Sequence, residues 1–408
     1  MESANPVPAH VPADVVVDFD VYDPPKLDQG LQQAWMTLQQ PGGPSLVWSI
    51  RNGGHWIATR GEDVAKFYAD FERLSSRVLM VPREKMIGNR PIPISSDRPE
   101  HTAYRGAVNP SLTPRAIQEI EAGIRALVVE LVDAIKDKGR CDFVSEFALV
   151  VPLTVFMRYA DLPPSELPRL RELAEEKVRP TGKMTPQQIM IGFADFLRPI
   201  VEERIGAIDR NDMFSRVLSK EVFGRPVTVD EGIRLCSQII VAALDTTAGT
   251  MAHIFTHLAT HATARRDLRE HPEKIPGAIE EYLRRFPLVA MARYATQDFE
   301  HDGITVKEGD LVVLPTMLHG LDPTITASPY EVDFERKNPS HSSFGQGPHR
   351  CPGATLARLE LGAAVEAWLD RIPEFSIAEG SPIKYHSGLI GSMSGLHLVW
   401  PTGENTQK

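Results

Sequence analysis

From Asp230 to His261 the sequence runs as one helical pattern that is apolar almost all round. At 1.5 Å per residue its roughly 30 residues would reach about 45 Å, enough to cross a molecule of this size. A helix that is apolar on every side has to be buried, so the rest of the chain must wrap around it. Yet Gln238, Asp245, Thr246 and Thr247 lie inside it. Thr246 can return its hydroxyl to the carbonyl of Ala242 and bend the helix. An acid beside a hydroxyl at such a bend is also what a proton relay requires. Both readings stay open on this stretch alone.

A second stretch, Ser343 to Leu361, reads SFGQGPHRCPGATLARLEL. It sets Cys351 after a short loop holding Gly345 and Gly347 and directly before a helical pattern from Ala354 to Leu369. The sulfur then sits at a helix N-terminus, where unpaired N–H groups favour thiolate over thiol. A thiolate either ligates a metal or attacks carbon. The other cysteines, Cys141 and Cys236, are too few and too scattered for a disulfide framework, which points to a reducing, cytoplasmic setting. No uninterrupted apolar run is long enough to span a bilayer; the richest, Phe147 to Met157, is broken by Pro152. The acidic, Pro-rich start lacks the basic and apolar segments of a secretory signal. A net charge of −10 argues against nucleic acid or an anionic membrane as a general partner.

In order, the chain opens with an arm to about Pro25 and a short helix near Leu31 to Gln40. Ser45 to Ile50 and His55 to Arg60 flank Asn52-Gly53-Gly54 as a hairpin. After a helix at Glu62 to Ala69, Ser75 to Ser96 has no period and reads as a long loop, a lid over something apolar. Helical patterns follow over Ile117 to Ile135, Cys141 to Tyr159, Leu167 to Val178 and Gln187 to Ile208. Pro276 to Phe286 carries Glu281 and Arg284 on one face, a pair that is weak evidence alone. Strands return between Asp298 and Pro315, and the tail from Pro373 to Trp400 has two β-like runs. The fold class is mainly α with a smaller β region. With no linker separating halves, residues 1–408 read as a single domain with an extended arm over 1–25.

Phe344, Gly347, Cys351 and Gly353 match F-x-x-G-x-x-x-C-x-G, and in this the chain resembles the cytochrome P450 monooxygenases. Asp245-Thr246 resembles the family's acid and alcohol pair, and Glu281, Arg284 and Arg336 its structural triad. The stretches DFDVYDP, NGGHWIATRG, LRRFPLVA, FGQGPHRC and RIPEFSIA extend the likeness to the bacterial camphor-hydroxylating branch, without making this chain the camphor enzyme itself. The resemblance implies haem b between the long central helix and the cysteine loop, with Cys351 as axial ligand to the iron. Phe344 would shield the sulfur, and Gly347 and Gly353 would let backbone approach the porphyrin. His101, Arg105, Arg293 and His349 look like partners of the haem propionates, with His101 and Arg105 on one helical face. Thr246 would hydrogen-bond on the oxygen side, and Asp245 would bring protons in from water. Two departures stand out there: Ala243 replaces a glycine, which would narrow the oxygen groove, and Met291 replaces an acid near a propionate.

The likeness places Met80, Asn89, Gln238, Val241, Ala242, Val289, Met291, Leu389 and Ile390 around the substrate. Asn89 stands where a tyrosine would donate to a ketone, and Met80 where an aromatic ring would pack. A flexible Met-lined wall suits another shape, so the expected substrate is a small terpenoid or norisoprenoid ketone of ionone type, with camphor or another monoterpenoid as the alternative. Gln238 either anchors that ketone or satisfies a helix carbonyl. No G-x-G-x-x-G follows a strand. Electrons must then come from elsewhere, and the resemblance implies a separate [2Fe-2S] ferredoxin with its NAD(P)H-dependent reductase. Arg73, Arg77, Arg105, Lys337, Arg350 and Arg358 could form the basic patch that receives it. The protein is expected to act as a monomer. A cysteine hydrolase using His349 as base would leave Asp245, Thr246 and Phe344 unexplained. A haem-binding sensor without catalysis is the other class to weigh. Pro352 follows the ligand and has no N–H, so one hydrogen bond to sulfur is missing, although proline also simply suits the first position of a helix. If the missing bond matters, Pro352→Leu raises the iron reduction potential in a spectroelectrochemical titration; an unchanged potential removes the electronic argument.

Overall fold

The computed structural model describes residues 5–86, 90–178, 182–207 and 209–402. Its axis is the helix Val229–Thr260, 32 residues long. Thr228 and Glu231 start it as a reciprocal capping box, satisfying two backbone N–H groups that a helix start leaves open. It is the one described helix long and apolar enough to cross a membrane, yet 72% of its most apolar window is buried within the protein. What buries it is a shell of helices, chiefly Val150–Tyr159, Pro186–Arg204 and Ala354–Arg371. Gly249 lets it come closer to one further element. A Cβ there would lie 2.8 Å from Leu288 and 3.4 Å from the carbonyl oxygen of Gly391.

Beside this helical core stands a six-stranded sheet in the order Val16–Val17, Leu46–Ser49, His55–Ala58, Leu311–Pro315, Ala290–Ala295, Leu74–Ser75. Leu311–Pro315 is buried throughout because it runs between two neighbours, parallel to one and antiparallel to the other. The antiparallel register pairs Val312 with Arg293 and Leu314 with Met291. Residues two apart on a strand share a face. Val289, Met291 and Arg293 are therefore aligned along one side, an apolar pair followed by a cation.

The α-rich composition and the positions of the long helix and the hairpin agree with the sequence reading. Three local differences have physical causes. Val16–Val17 pairs with Trp48 and Ser49, so part of the arm is a sheet edge. Cys141 lies in the strand Arg140–Asp142, paired with His397–Val399, rather than in a helix. The helical pattern was overridden there by a partner far away in sequence, and the chain turns helical from Val144, where the π-helical turn Val144–Ala148 leads into the helix Val150–Tyr159. Pro152 follows that wider turn, having no N–H to offer the ordinary helical ladder. The third difference is Ala290–Ala295, which the sequence reading did not identify as a strand.

Glu360, on the helix Ala354–Arg371, is 3% exposed, and burial alone pushes its carboxyl up to about 8. Its folded-state pKa lies above the unfolded value, so stability is lost as pH rises from about 4.5 towards 8. Glu360→Gln should gain about 1–3 kcal/mol at pH 7.5 and nothing below pH 4.5. Urea unfolding at the two pH values checks the sign.

Candidate active site

The cysteine loop is shaped by its own backbone. Cys351 N–H donates to the Phe344 carbonyl at 2.8 Å, Gly345 N–H to Ser342 at 2.7 Å and Arg350 N–H to Gly347 at 3.1 Å. Gly347 has φ +65°, and a Cβ on it would meet Ala69 Cα at 2.7 Å. The absence of a side chain thus lets the loop dock on the helix Gly61–Ala69, a reason that stands beside the expected approach to porphyrin. Gly353 caps the following helix, and a Cβ there would touch only the Cys351 sulfur, at 3.8 Å. Cys351 is solvent-accessible, while protein crowds it closely enough for desolvation to raise its thiol pKa. The two observations together describe a sulfur on the floor of a concave site. Burial outweighs the helix start that the sequence suggested would favour thiolate; the Gly353 N–H and the charges of Arg105, Arg358 and Arg350 oppose it. A metal ion bound to the sulfur would supply the missing stabilisation.

The loop is fixed from behind by two adjacent carboxylates on the helix Ile275–Arg285. Glu281 receives Arg284 through two bonds of 2.7 and 2.8 Å, Arg336 Nε at 3.1 Å and the Asp333 N–H at 3.0 Å. Arg284 also donates to the carbonyls of Gly320, Pro329 and Glu331. Glu281 and Arg284 are both wholly buried. Glu280 pairs with Arg358, with His341 3.5 Å away; although burial opposes it, the hydrogen bonds from these two side chains hold its carboxyl down to about 2. Arg358 in turn lies 4.5 Å from the centre of the Phe344 ring. Sequence reasoning missed Glu280 and His341. The only signal was a second acid beside Glu281.

A cationic recess forms where three elements meet. His101 and Arg105 share a face of the helix Glu100–Val108, His349 sits on the turn Gly347–His349, and Arg293 projects from the strand Ala290–Ala295. The rings of His101 and His349 are 3.9 Å apart. Arg105 donates to the Arg350 carbonyl at 2.7 Å, and buried Arg293 donates to its neighbour Ala292 and lies over Tyr68. Among the described residues no carboxylate pairs with Arg105 or Arg293. Desolvation, then Arg293, His101, Arg105 and Arg98, pushes His349 down to about 2; desolvation and Arg105 push His101 to about 4. Such a recess is built for an anion with more than one oxygen.

On the long helix, Gln238, Ala242 and Thr246 recur every four residues and are half-buried or exposed, in the middle of an otherwise buried element. Thr246 Oγ1 donates to the Ala242 carbonyl at 3.3 Å, and Asp245 beside it is buried. Gln238 has no hydrogen-bond partner among the described residues, so it does not serve a helix carbonyl. Facing apolar residues are brought together by backbone bonds: Val289 bridges Ile390, Ala290 N–H donates to Leu389, and Ala292 N–H donates to Leu79, next to Met80. Met80, Val241, Val289, Met291, Leu389 and Ile390 are all half-buried. Asn89 lies outside the described residues. Of the surface cations, Arg73, Arg77 and Arg358 are paired with Asp70, Asp97 and Glu280, which leaves Lys337 and Arg350 as the exposed ones of the set without an acidic partner among the described residues. Glu281→Gln leaves buried Arg284 and half-buried Arg336 with no full counter-charge and should cost about 3–5 kcal/mol. The readouts are denaturant unfolding and the yield of the reduced carbon monoxide complex, both of which should fall.

The comparisons with known proteins agree with this geometry. Residues 182–384 match the cytochrome P450 family model. The chain is 30% identical over 406 residues, 97% of each chain, to probable cytochrome P450 127A1 of Sinorhizobium fredii (strain NBRC 101917 / NGR234). Among solved structures, cytochrome P450 CYP101C1 is 42% identical with TM-score 0.89, over 97% of this chain and all of that one. CYP101J2 is 38% identical with TM-score 0.90, over 98% of this chain and all of that one. An accessible cysteine on a shaped loop, a recess of unpaired cations and an open stripe on a buried helix fit haem b, and the chain belongs to the cytochrome P450 family of monooxygenases.

Proposed function

We propose that the protein hydroxylates a small alicyclic terpenoid, a monoterpenoid in the first instance, with Cys351 holding the haem iron and His101, Arg105, Arg293 and His349 holding the propionates. The observation that carries this is the continuous face Val289, Met291, Arg293, which joins an apolar wall directly to the cationic recess. Bound there, haem supplies activation of dioxygen. One oxygen atom enters a C–H bond of the substrate and the other leaves as water, consuming two electrons and two protons. The chain's own part is to orient and to move protons. Val241, Val289, Leu389 and Ile390 exclude water and hold the hydrocarbon by shape. Gln238 offers an amide to a ketone or hydroxyl. Thr246 makes only a long bond to its own helix, so its hydroxyl can turn towards the site, with Asp245 one residue away to pass the proton on.

Met80 and Met291 support a second reading, a norisoprenoid ketone of ionone type, because unbranched side chains yield to a longer substrate. Electrons come from a [2Fe-2S] ferredoxin and its NAD(P)H-dependent reductase, and Arg350 with Lys337 is the exposed basic surface for that acidic partner. The whole chain acts as one domain, as a monomer, in the cytoplasm.

Titrating camphor, other monoterpenoids and ionones against the holoenzyme, read as the low- to high-spin shift, ranks the two substrate readings. Gln238→Leu should weaken binding of a ketone by about tenfold and leave the matching hydrocarbon unchanged. Equal effects on both would remove Gln238 as the anchor. Binding without product under a ferredoxin system would favour the sensor reading instead.

A further inference from the structure

A cavity of about 520 Å³ lies away from the cysteine loop, between the C-terminal half of the long helix, the start of the short helix Leu31–Met36 and the end of the helix Ile275–Arg285. His253, His257, Arg285, Phe286, Tyr330 and Tyr385 are among its lining. Two of the residues that line it each hold one buried nitrogen with no hydrogen-bond partner, Nε2 of His253 and one terminal nitrogen of Arg285. The residues are 4% and 9% exposed. Leaving such atoms without partners is costly in a folded protein, so each asks for a ligand or an ordered water.

The two atoms ask for opposite chemistry. His253 Nδ1 lies 2.9 Å from the Gly249 carbonyl, which can only accept, so Nδ1 carries the hydrogen. Its Nε2 is then an acceptor awaiting a donor, and burial keeps the ring neutral by pushing it down to about 4. Arg285 donates Nε–H to the Tyr330 carbonyl at 2.7 Å and pairs with no carboxylate among the described residues. Its free N–H groups await an anionic acceptor. Both residues lean on one ring: the guanidinium lies 4.6 Å and the imidazole 5.4 Å from the centre of Phe286. Three other polar side chains of the lining are already engaged. Thr256 and Thr260 direct their hydroxyls to the carbonyls of Ala252 and Thr256, and His257 Nδ1 is 3.0 Å from the Tyr282 hydroxyl. Glu331, which also lines the cavity, is exposed.

We infer that this cavity is a second ligand site, separate from the haem pocket, for a small aromatic or alicyclic hydroxycarboxylate: the carboxylate on Arg285, the hydroxyl donating to His253 Nε2, and the ring against Phe286. The probe is 4-hydroxybenzoate, with benzoate and phenol as half-probes, titrated calorimetrically into the haem-loaded protein at pH 7. Wild type should bind 4-hydroxybenzoate about tenfold more tightly than either half-probe, with no shift of the haem Soret band. Arg285→Gln and His253→Phe should each lower the affinity about tenfold or more, with an unchanged reduced carbon monoxide spectrum showing that the fold is intact. Absence of binding to wild type, a probe-induced Soret shift, equal affinity for probe and half-probes, or variants that bind as wild type would each overturn the site. The comparison among probes needs no mutation, so it decides even if a variant fails to fold.

Discussion

The helix Ile275–Arg285 holds two consecutive acids, and the geometry of the cysteine loop depends on both. Glu281 closes on Arg284 and Arg336, and through Arg284 onto three carbonyls of the segment that leads into the loop. Glu280 closes on Arg358 in the helix that leaves it. The loop is thereby held at its entrance and at its exit from a single element. Charges this deep are expensive to desolvate, and well-packed apolar residues could match them for stability. What apolar packing could not supply is direction. Three hydrogen bonds to the two oxygens of Glu281 fix where Arg336 and the Asp333 backbone lie, and so where the chain turns towards Phe344 and Cys351.

The opposite wall is set by close approach. Because Gly249 has no side chain, the long helix meets Leu288 and Gly391 almost directly, one turn beyond Thr246. The same contact brings in Val289 and Ile390, which bridge each other. The acid and alcohol pair and the apolar wall are thus positioned by one glycine, and widening that contact would move both. The strand Ala290–Ala295 then carries the wall onward to Arg293, so that the apolar and the anion-binding parts of the site are two ends of one strand face.

These relations were only partly legible in the sequence. Cys351, Phe344, Asp245 and Thr246 belong to local patterns whose chemistry can be read residue by residue, and the long helix announces itself by its apolar length. Glu281 and Arg284 looked like an ordinary surface pair; only the fold shows that they are wholly buried. Arg293 and Met291 were placed by resemblance, since AMARYA has neither strong alternation nor a turn beside it, and its strand character comes from lying between Leu311–Pro315 and Leu74–Ser75. Cys141 misled for the same reason: its pairing with Leu398 is a contact no local pattern contains. Gly347 carries a second constraint that no local pattern contains, since a Cβ there would clash with Ala69.

The sulfur itself shows how neighbouring residues divide one task. Burial raises the Cys351 thiol, and the Gly353 N–H and the guanidinium groups of Arg105, Arg358 and Arg350 act against it. Pro352 has no N–H to add to them. A second donor at residue 352 would draw charge off the sulfur and weaken its push on the metal. Pro352 itself stands outside that helix, one residue ahead of the N-cap Gly353, so the preference of proline for a first helical position does not account for it, and the sulfur is the group its absent hydrogen would bear on.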